Sequence, residues 1–348
     1  MSKLLIVGSE VEALLAIKHF ESCATVEKLY HLPTETGPEP VFCAESYELP
    51  GSSLPRVCEL LDTWGKQVLH LDLPSLIKPS GEVAGKKREV FARGLKVSRT
   101  TITDDGVCAT FSDGSEVLCD GVVFADGWQS QCRAFWNKPM KKPSDPDEVQ
   151  CWRFTIPNVL SLRSYQFRWA AAKSVELMPL SGEELSVALR FKSPYGGDLS
   201  VAELRELFGE FGSDMTALLE NPDEISYHQE TKAGWGVFIP APGCYAIGRA
   251  ALPTRSLWAF DWLSRFTVAQ LGVLCEQLEA GSLNGPSFEA QSSESLTEFA
   301  NAESFLRHHL HSEGVFLRLA RSVLLKLLPA SLWKNALRKR LLAHHGKS

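Results

Sequence analysis

Leu4 to Gly8 is an unbroken apolar run closed by a glycine, and from Val11 to Phe20 apolar residues recur at helical spacing. A second strand-length run follows at Thr25 to Tyr30. A strand that is apolar on both faces needs cover on both, and a helix that crosses over before the next strand supplies it. The first thirty residues therefore commit the chain to an α/β fold that opens with a βαβ unit and a buried parallel sheet.

The 348 residues, 44% of them hydrophobic, suffice for a large core and for two domains or one two-part unit. Acidic residues exceed basic ones by six and no long basic run occurs before the C-terminus, which excludes nucleic acid and leaves small molecules or proteins as partners. Nine cysteines are scattered singly, without a Cys-x-x-Cys pair, as expected of reduced thiols in a cytoplasmic protein. The opening apolar run is followed by Glu10 and Glu12, the mark of a strand and a helix start and not of a signal peptide. No apolar stretch approaches the roughly 18 residues of a membrane span.

Further along, residues 33–56 read as loop and Leu54 to Leu69 as helix. Short alternating strands with turns at Asp104-Asp105-Gly106 and Ser112-Asp113-Gly114 fill Arg93 to Ala125. Pro139 to Pro146 reads as a linker. Four strands then alternate as an antiparallel sheet (Gln150 to Ile156, Gln166 to Trp169, Ser174 to Pro179, Leu185 to Phe191), followed by a helix from Val201 to Leu219 that Ser200 starts. Strands at Ser226 to Gln229, Gly236 to Pro240 and Cys244 to Gly248 precede a helix at Leu257 to Leu278 and a helical tail broken at Pro329. The expected organisation is a discontinuous Rossmann-like domain (1–148 and 243–312), an inserted antiparallel sheet domain (149–242) and basic amphipathic helices (313–348).

Val122 to Arg133 carries the sharpest motif. An apolar strand runs into Asp126-Gly127, with Ser130 and Arg133 behind it, giving Ala-Asp-Gly-x-x-Ser-x-x-Arg. This spacing resembles the class A flavin-dependent monooxygenases, the family of aromatic hydroxylases and ubiquinone-biosynthesis hydroxylases. The resemblance implies a Rossmann-like FAD/NAD(P)-binding-type domain with an inserted substrate sheet, FAD reduced by NAD(P)H, and hydroxylation of an aromatic substrate.

The companion motifs depart from that family. A dinucleotide turn reads Gly-x-Gly-x-x-Gly, so that backbone and helix start can approach a diphosphate. Here it is Gly8-Ser9-Glu10-Val11-Glu12-Ala13: Ala13 is a tolerable third position, but Glu10 stands where the phosphate would lie and Glu12 adds a second negative charge. Glu10 either fills the anion site itself or points to solvent. The acidic residue expected for the ribose is replaced by Tyr30, beside His31. The family's Gly-Asp-Ala-Ala-His becomes Gly248-Arg249-Ala250-Ala251-Leu252, and the stretch from Thr254 to Thr267 has no glycine and offers Trp258, Phe260, Trp262 and Phe266 where a flavin ring would sit. Arg249 is expected either to pair with Glu10, Glu12 or Asp126, or to bind an anionic ligand. Asp126 can cap the helix that follows it, and Arg133 can anchor that helix.

These positions (Gly8, Glu10, Ala13, Tyr30, Asp126, Gly127, Arg133, Gly248 and Arg249) define a vestigial cofactor cleft with no FAD in the usual pose; the alternative is FAD bound weakly or differently. The aromatic residues Trp152, Phe154, Phe167, Trp169, Trp235, Phe238 and Trp258 suggest a pocket for a hydrophobic or aromatic small molecule. Trp152 to Pro157 is also similar to the Trp-x-Trp-x-Ile-Pro motif of flavin-dependent tryptophan halogenases, with Phe154 as the second aromatic, and reads as a packing strand. His308, His309 and His311 do not share one helix face, so no metal site is expected. After Glu313 the chain has eight Lys or Arg and no acid, a tail that docks on an anionic membrane surface or a protein partner, or packs back on the first domain. The functional expectation is a flavin-free derivative of the family, an enzyme or an accessory subunit in a biosynthetic pathway. A divergent FAD-dependent, NAD(P)H-using monooxygenase is the alternative.

Overall fold

Apolar runs at the chain start, at Gly121 and at Cys244 become neighbouring strands of one sheet in the computed structural model. It describes residues 2–9, 11–34, 41–42, 51–53, 57–61, 67–72, 76–79, 88–92, 94–127, 130–135, 149–170, 172–180, 183–192, 199–220, 222, 225–230, 236–252 and 262–310. The described elements begin β1 (Ser2–Val7), α1 (Val11–Ser22), β2 (Val26–Leu32), β3 (Val41–Phe42), β4 (Gly51–Ser53), β5 (Val57–Leu61), β6 (Gln67–Asp72), β7 (Leu76–Pro79) and β8 (Arg88–Val90). They continue with β9 (Val97–Thr103), β10 (Gly106–Phe111), β11 (Glu116–Cys119), β12 (Gly121–Phe124), β13 (Val149–Pro157), β14 (Tyr165–Trp169), β15 (Lys173–Pro179) and β16 (Glu184–Lys192). The last are α2 (Val201–Phe208), α3 (Ser213–Leu218), β17 (Ser226–Glu230), β18 (Cys244–Ala246), α4 (Gly248–Ala251), α5 (Trp262–Glu279) and α6 (Gly285–Leu310).

The chain divides into two units. The first comprises Met1–Ser52, Ile77–Lys142 and Ala233–Asn301. Its sheet has the order β18-β12-β1-β2-β8, every neighbour parallel. β12 and β18 are buried along their whole length, as are Leu4 to Val7 of β1, which is why their sequences show no alternation. Helix α1 packs on α5, and the β9-β10-β11 meander adds Val107, Ala109 and Phe111 to the same core. Both of its turns fall where the Asp-Gly signals place them.

The second unit comprises Ser53–Leu76, Pro143–Lys232 and Ala302–Ser348. A seven-stranded sheet, β17-β13-β16-β15-β14-β5-β6, lays one face against α2 and α3. That core joins Trp152 and Phe154 of β13, Val175 of β15, and Leu185, Val187 and Leu189 of β16 to Phe208 of α2. Ser200 caps α2 with a full capping box through Glu203, but the expected helix from Val201 to Leu219 is broken. A 3-10 turn at Gly209–Phe211 and Gly212, at φ +91°, separate α2 from α3.

Two further expectations are corrected. Leu54 to Leu69 is not helical: its described residues form β5 and part of β6, because β5 pairs in parallel with β14, a partner far away in sequence. Gly236 to Pro240 forms no strand and contributes single backbone bonds, Val237 N to Ala251 O and Ala246 N to Phe238 O, each 2.8 Å long. Residues 139–146, 253–261 and 313–348, and with them the linker, most of the aromatic stretch and the basic tail, lie outside the described residues. Among the described residues no helix is long and apolar enough to cross a membrane.

Candidate functional site

Open parallel sheets bind ligands beyond the carboxyl ends of their strands, where the strand order reverses. In the first unit that point lies between β1 and β12. Gly8 ends β1 at φ +141°, and a side chain there would place its Cβ 2.4 Å from the carbonyl oxygen of Ala125 and 2.9 Å from the Cα of Asp126. Glycine is thus required for the two strand ends to converge, whatever binds above them. The same turn is tied to β2, since Gly8 N donates to Leu32 O and the buried His31 ring meets Gly8 O at 2.8 Å.

Above this turn stands a buried ion pair. Glu12, in the first turn of α1, and Arg249, in α4, have side chains 1% and 2% exposed. Arg249 Nε donates to Glu12 Oε1 at 2.7 Å and Nη2 to Oε2 at 3.2 Å, the side-on two-pronged geometry of guanidinium and carboxylate. The Arg249 backbone N–H adds a third bond to Oε1, at 3.2 Å. Gly248 makes room for this: at φ +55°, a Cβ on it would lie 2.4 Å from Glu12 Cγ. Its own N–H donates to Gln270 Oε1 at 2.8 Å, and Gln270 Nε2 reaches Ala246 O and Ser292 Oγ at 3.4 Å. The first two amides of α4 are therefore bonded to side chains from α1 and α5.

Asp126, also buried, accepts from the Gln131 backbone at 2.8 Å and starts the 3-10 turn Gln131–Phe135. Ser130 Oγ supports that turn by accepting from Cys132 N at 3.1 Å, and Gly127 adopts φ +75°. Arg133 belongs to the same turn, its side chain outside the described residues, as is Glu10. Ala13 is fully buried in α1. Tyr30 points to the other face of β2, stacked on Phe91 at 5.9 Å with Lys28 Nζ 4.6 Å from its ring. Gly8, Ala13, Asp126, Gly127, Gly248 and Arg249 are thus assembled at one end of the sheet, and Tyr30 is turned away. Gln270 and Ser292 escaped sequence reasoning: polar residues on long helices carry no local sign that they face a crevice.

In the second unit Trp152 and Phe154 belong to the apolar core, with the Trp152 ring 6.4 Å from Phe208 and 5.6 Å from Tyr227. Phe167 is buried on the opposite sheet face, in register with Glu176 and Ala188. Phe238 packs in the first unit's core, 6.3 Å from Phe266. Trp169 sits in β14 with its side chain outside the described residues, where Trp235 and Trp258 also lie. Among the described residues no group of three His, Cys, Asp or Glu side chains is placed to hold a metal ion.

No protein-family model and no curated protein matches the sequence. Solved structures do: a variant of Klebsiella pneumoniae HpxO complexed with FAD superposes with a TM-score of 0.71 at 15% identity, over 99% of this chain and 100% of that one. The fold is that of the FAD-dependent monooxygenases. The tetracycline destructase Tet(55) shares it with a TM-score of 0.65 at 14% identity, over 100% of this chain and 99% of its own. So does 2,6-dihydroxypyridine-3-hydroxylase from Arthrobacter nicotinovorans, at 0.64 and 12%, over 90% and 93%. Within this fold, a parallel-sheet unit and an antiparallel sheet unit occur together.

Proposed function

We propose that this protein uses the flavin-monooxygenase scaffold without FAD in its usual pose, and that it binds or transforms a hydrophobic or aromatic small molecule, as an enzyme or an accessory subunit in a biosynthetic pathway. The observation that carries this reading is the buried Glu12–Arg249 pair at the sheet's switch point. A diphosphate bound at a helix start needs free N–H donors and no competing negative charge. Here a buried carboxylate occupies the first turn of α1, and the leading amides of α4 are bonded to Glu12 and Gln270. The surviving Gly8 is explained by strand convergence alone. These residues do not fit FAD in that pose. What remains is a binding scaffold, and the neighbouring HpxO, solved with uric acid, and the tetracycline destructase supply the analogy for a ring-shaped ligand.

FAD held weakly or differently, serving an NAD(P)H-dependent monooxygenase, is the second reading, supported by the FAD in the structures of HpxO and CtdE. One measurement separates the two: the absorbance of purified protein between roughly 350 and 500 nm, where flavins absorb, after incubation with excess FAD and desalting. The expected protein is colourless and regains flavin when Glu12→Ala is combined with Arg249→Asp. A yellow wild-type protein with near one flavin per chain overturns the first reading. For the basic tail we propose docking on an anionic membrane surface or a protein partner, checked by pelleting with anionic vesicles. A chain ending at Glu313 that pellets as well as the full chain removes the membrane role.

A further inference from the structure

β1, β12 and β18 start at the end of the parallel sheet opposite the Glu12–Arg249 crevice, and a cavity of about 560 Å³ lies there, within the size range of small-molecule sites. The β9–β10 turn, the turn before β18, the α5–α6 turn and the chain at Ser2 and Asp120 enclose it. Its walls are apolar, formed by Ile102, Val107, Ile239, Tyr245, Leu278 and Leu283. Ile102 remains 55% exposed although it pairs with the buried Val107. Apolar surface left open beside a concavity is the mark of a binding site.

The polar groups of this cavity are one-sided. Backbone amides around it are bonded within the protein: Lys3 N to the Asp120 carboxylate at 2.6 Å, Asp120 N to Lys3 O at 2.7 Å, Gly281 N to Leu278 O at 3.0 Å and Ser282 N to Gln277 O at 3.1 Å. Helix α6 also begins here, but Pro286 lacks an N–H, and Asn284 accepts from Ser287 N with its side chain and from Phe288 N with its carbonyl, each at 3.0 Å. What the cavity offers a ligand is negative: the exposed carboxylates of Asp104 and Asp120, and the C-terminal end of α5, where the helix dipole is negative. Among the described residues that line it, none is Lys, Arg or His. We propose that this cavity binds a small organic cation, an ammonium group carried on an apolar or aromatic body. The ammonium meets the two carboxylates and the body meets the apolar walls, so each half of the ligand answers one half of the lining. An anion meets like charge, and a neutral molecule gains nothing from either aspartate.

The site is separate from the crevice at the other end of the sheet and stands whether or not that crevice holds FAD. The test is calorimetric titration of the full chain at low ionic strength with three probes that share one body: 4-phenylbutylamine, 4-phenylbutanol and 4-phenylbutanoate. The amine is expected to bind at least about fivefold more tightly than the alcohol, the gain that two exposed carboxylates acting together supply, and the acid should bind weakest. Asp104→Asn combined with Asp120→Asn should bring amine and alcohol within about twofold, while the asparagine carbonyl keeps the bond from Lys3 N. Ile102→Lys, which puts a cation on the half-exposed wall, should weaken the amine and strengthen the acid, a gain that misfolding cannot produce. The proposal is overturned if alcohol or acid binds as tightly as the amine, if no probe binds, if the double variant keeps the preference, or if Ile102→Lys leaves the ranking unchanged. Methylammonium binding as tightly as the amine would make the apolar walls irrelevant and overturn it too. Tetralysine binding more tightly than the amine would assign the cavity to a basic protein segment and end the small-molecule assignment.

Discussion

Replacing Glu12 by alanine leaves the Arg249 guanidinium buried with its main acceptor gone. Neither side chain is more than 2% exposed, so water cannot take over the lost bonds without opening the crevice. Breaking a buried pair from one side costs about 3–5 kcal/mol, and the loss of three bonds to a single carboxylate places Glu12→Ala toward the upper end. Arg249→Met should cost about 3 kcal/mol, because the stranded carboxylate keeps the Arg249 backbone N–H as one partner. Combining the two removes both charges, so the double variant should lose far less than the sum, with a coupling of about 3 kcal/mol or more. Equilibrium urea unfolding at neutral pH, followed by far-UV circular dichroism, gives all four corners of the cycle. Single losses below about 1 kcal/mol, or additive effects, would refute a desolvated pair and with it the argument that this crevice is internally occupied.

Three other outcomes follow from the same structure. Gly8→Ala should lower stability by about 3 kcal/mol or more, because the obstacle at 2.4 Å is backbone, whereas Gly114→Ala, with open space around it, should lose only about 1 kcal/mol from its positive φ; unfolding midpoints that rank them the other way reject the convergence argument. Burial pushes Cys119 and Tyr245 up to about 12 and Cys244 to about 11, from ordinary values of 9, 10 and 9. Their neutral forms are favoured in the folded state, so stability is full below pH 9 and should fall as pH rises towards 11 to 12, by at most about 1.4 kcal/mol per pH unit and group; a thermal midpoint flat through pH 10.5 contradicts this. Ser200→Ala should cost about 1 kcal/mol through loss of the capping box, and Ser200→Asp should restore most of it in the same unfolding assay.

Elements governed by local pattern were legible in the sequence. β1, α1 and β2 follow from apolar runs and helical spacing, and the capping roles of Asp126 and Ser200 follow from the preference of helix starts for short polar side chains. Misreadings arose where a distant partner decides. β5 is a strand because β14 offers it an edge, which nothing between Val57 and Leu61 announces. Glu12 looks alike in sequence whether it faces water or a guanidinium 237 residues later, so the pairing was visible only as one of several options for Arg249. The break after α2 could have been read from Gly209 and Gly212, had their spacing been weighed against the apolar periodicity that spans them.

The Glu12–Arg249 pair also acts as an evolutionary ratchet. Losing Arg249 alone would strand a buried carboxylate, and losing Glu12 alone would take from Arg249 the acceptor of its two-pronged pair, so a change at one position disfavours the residue at the other. By the costs worked out above, single changes at these two positions should meet a stability barrier that a paired change avoids. Lineages on the two sides of that barrier should therefore differ at both residues together, and a chain with only one of the pair should be rare.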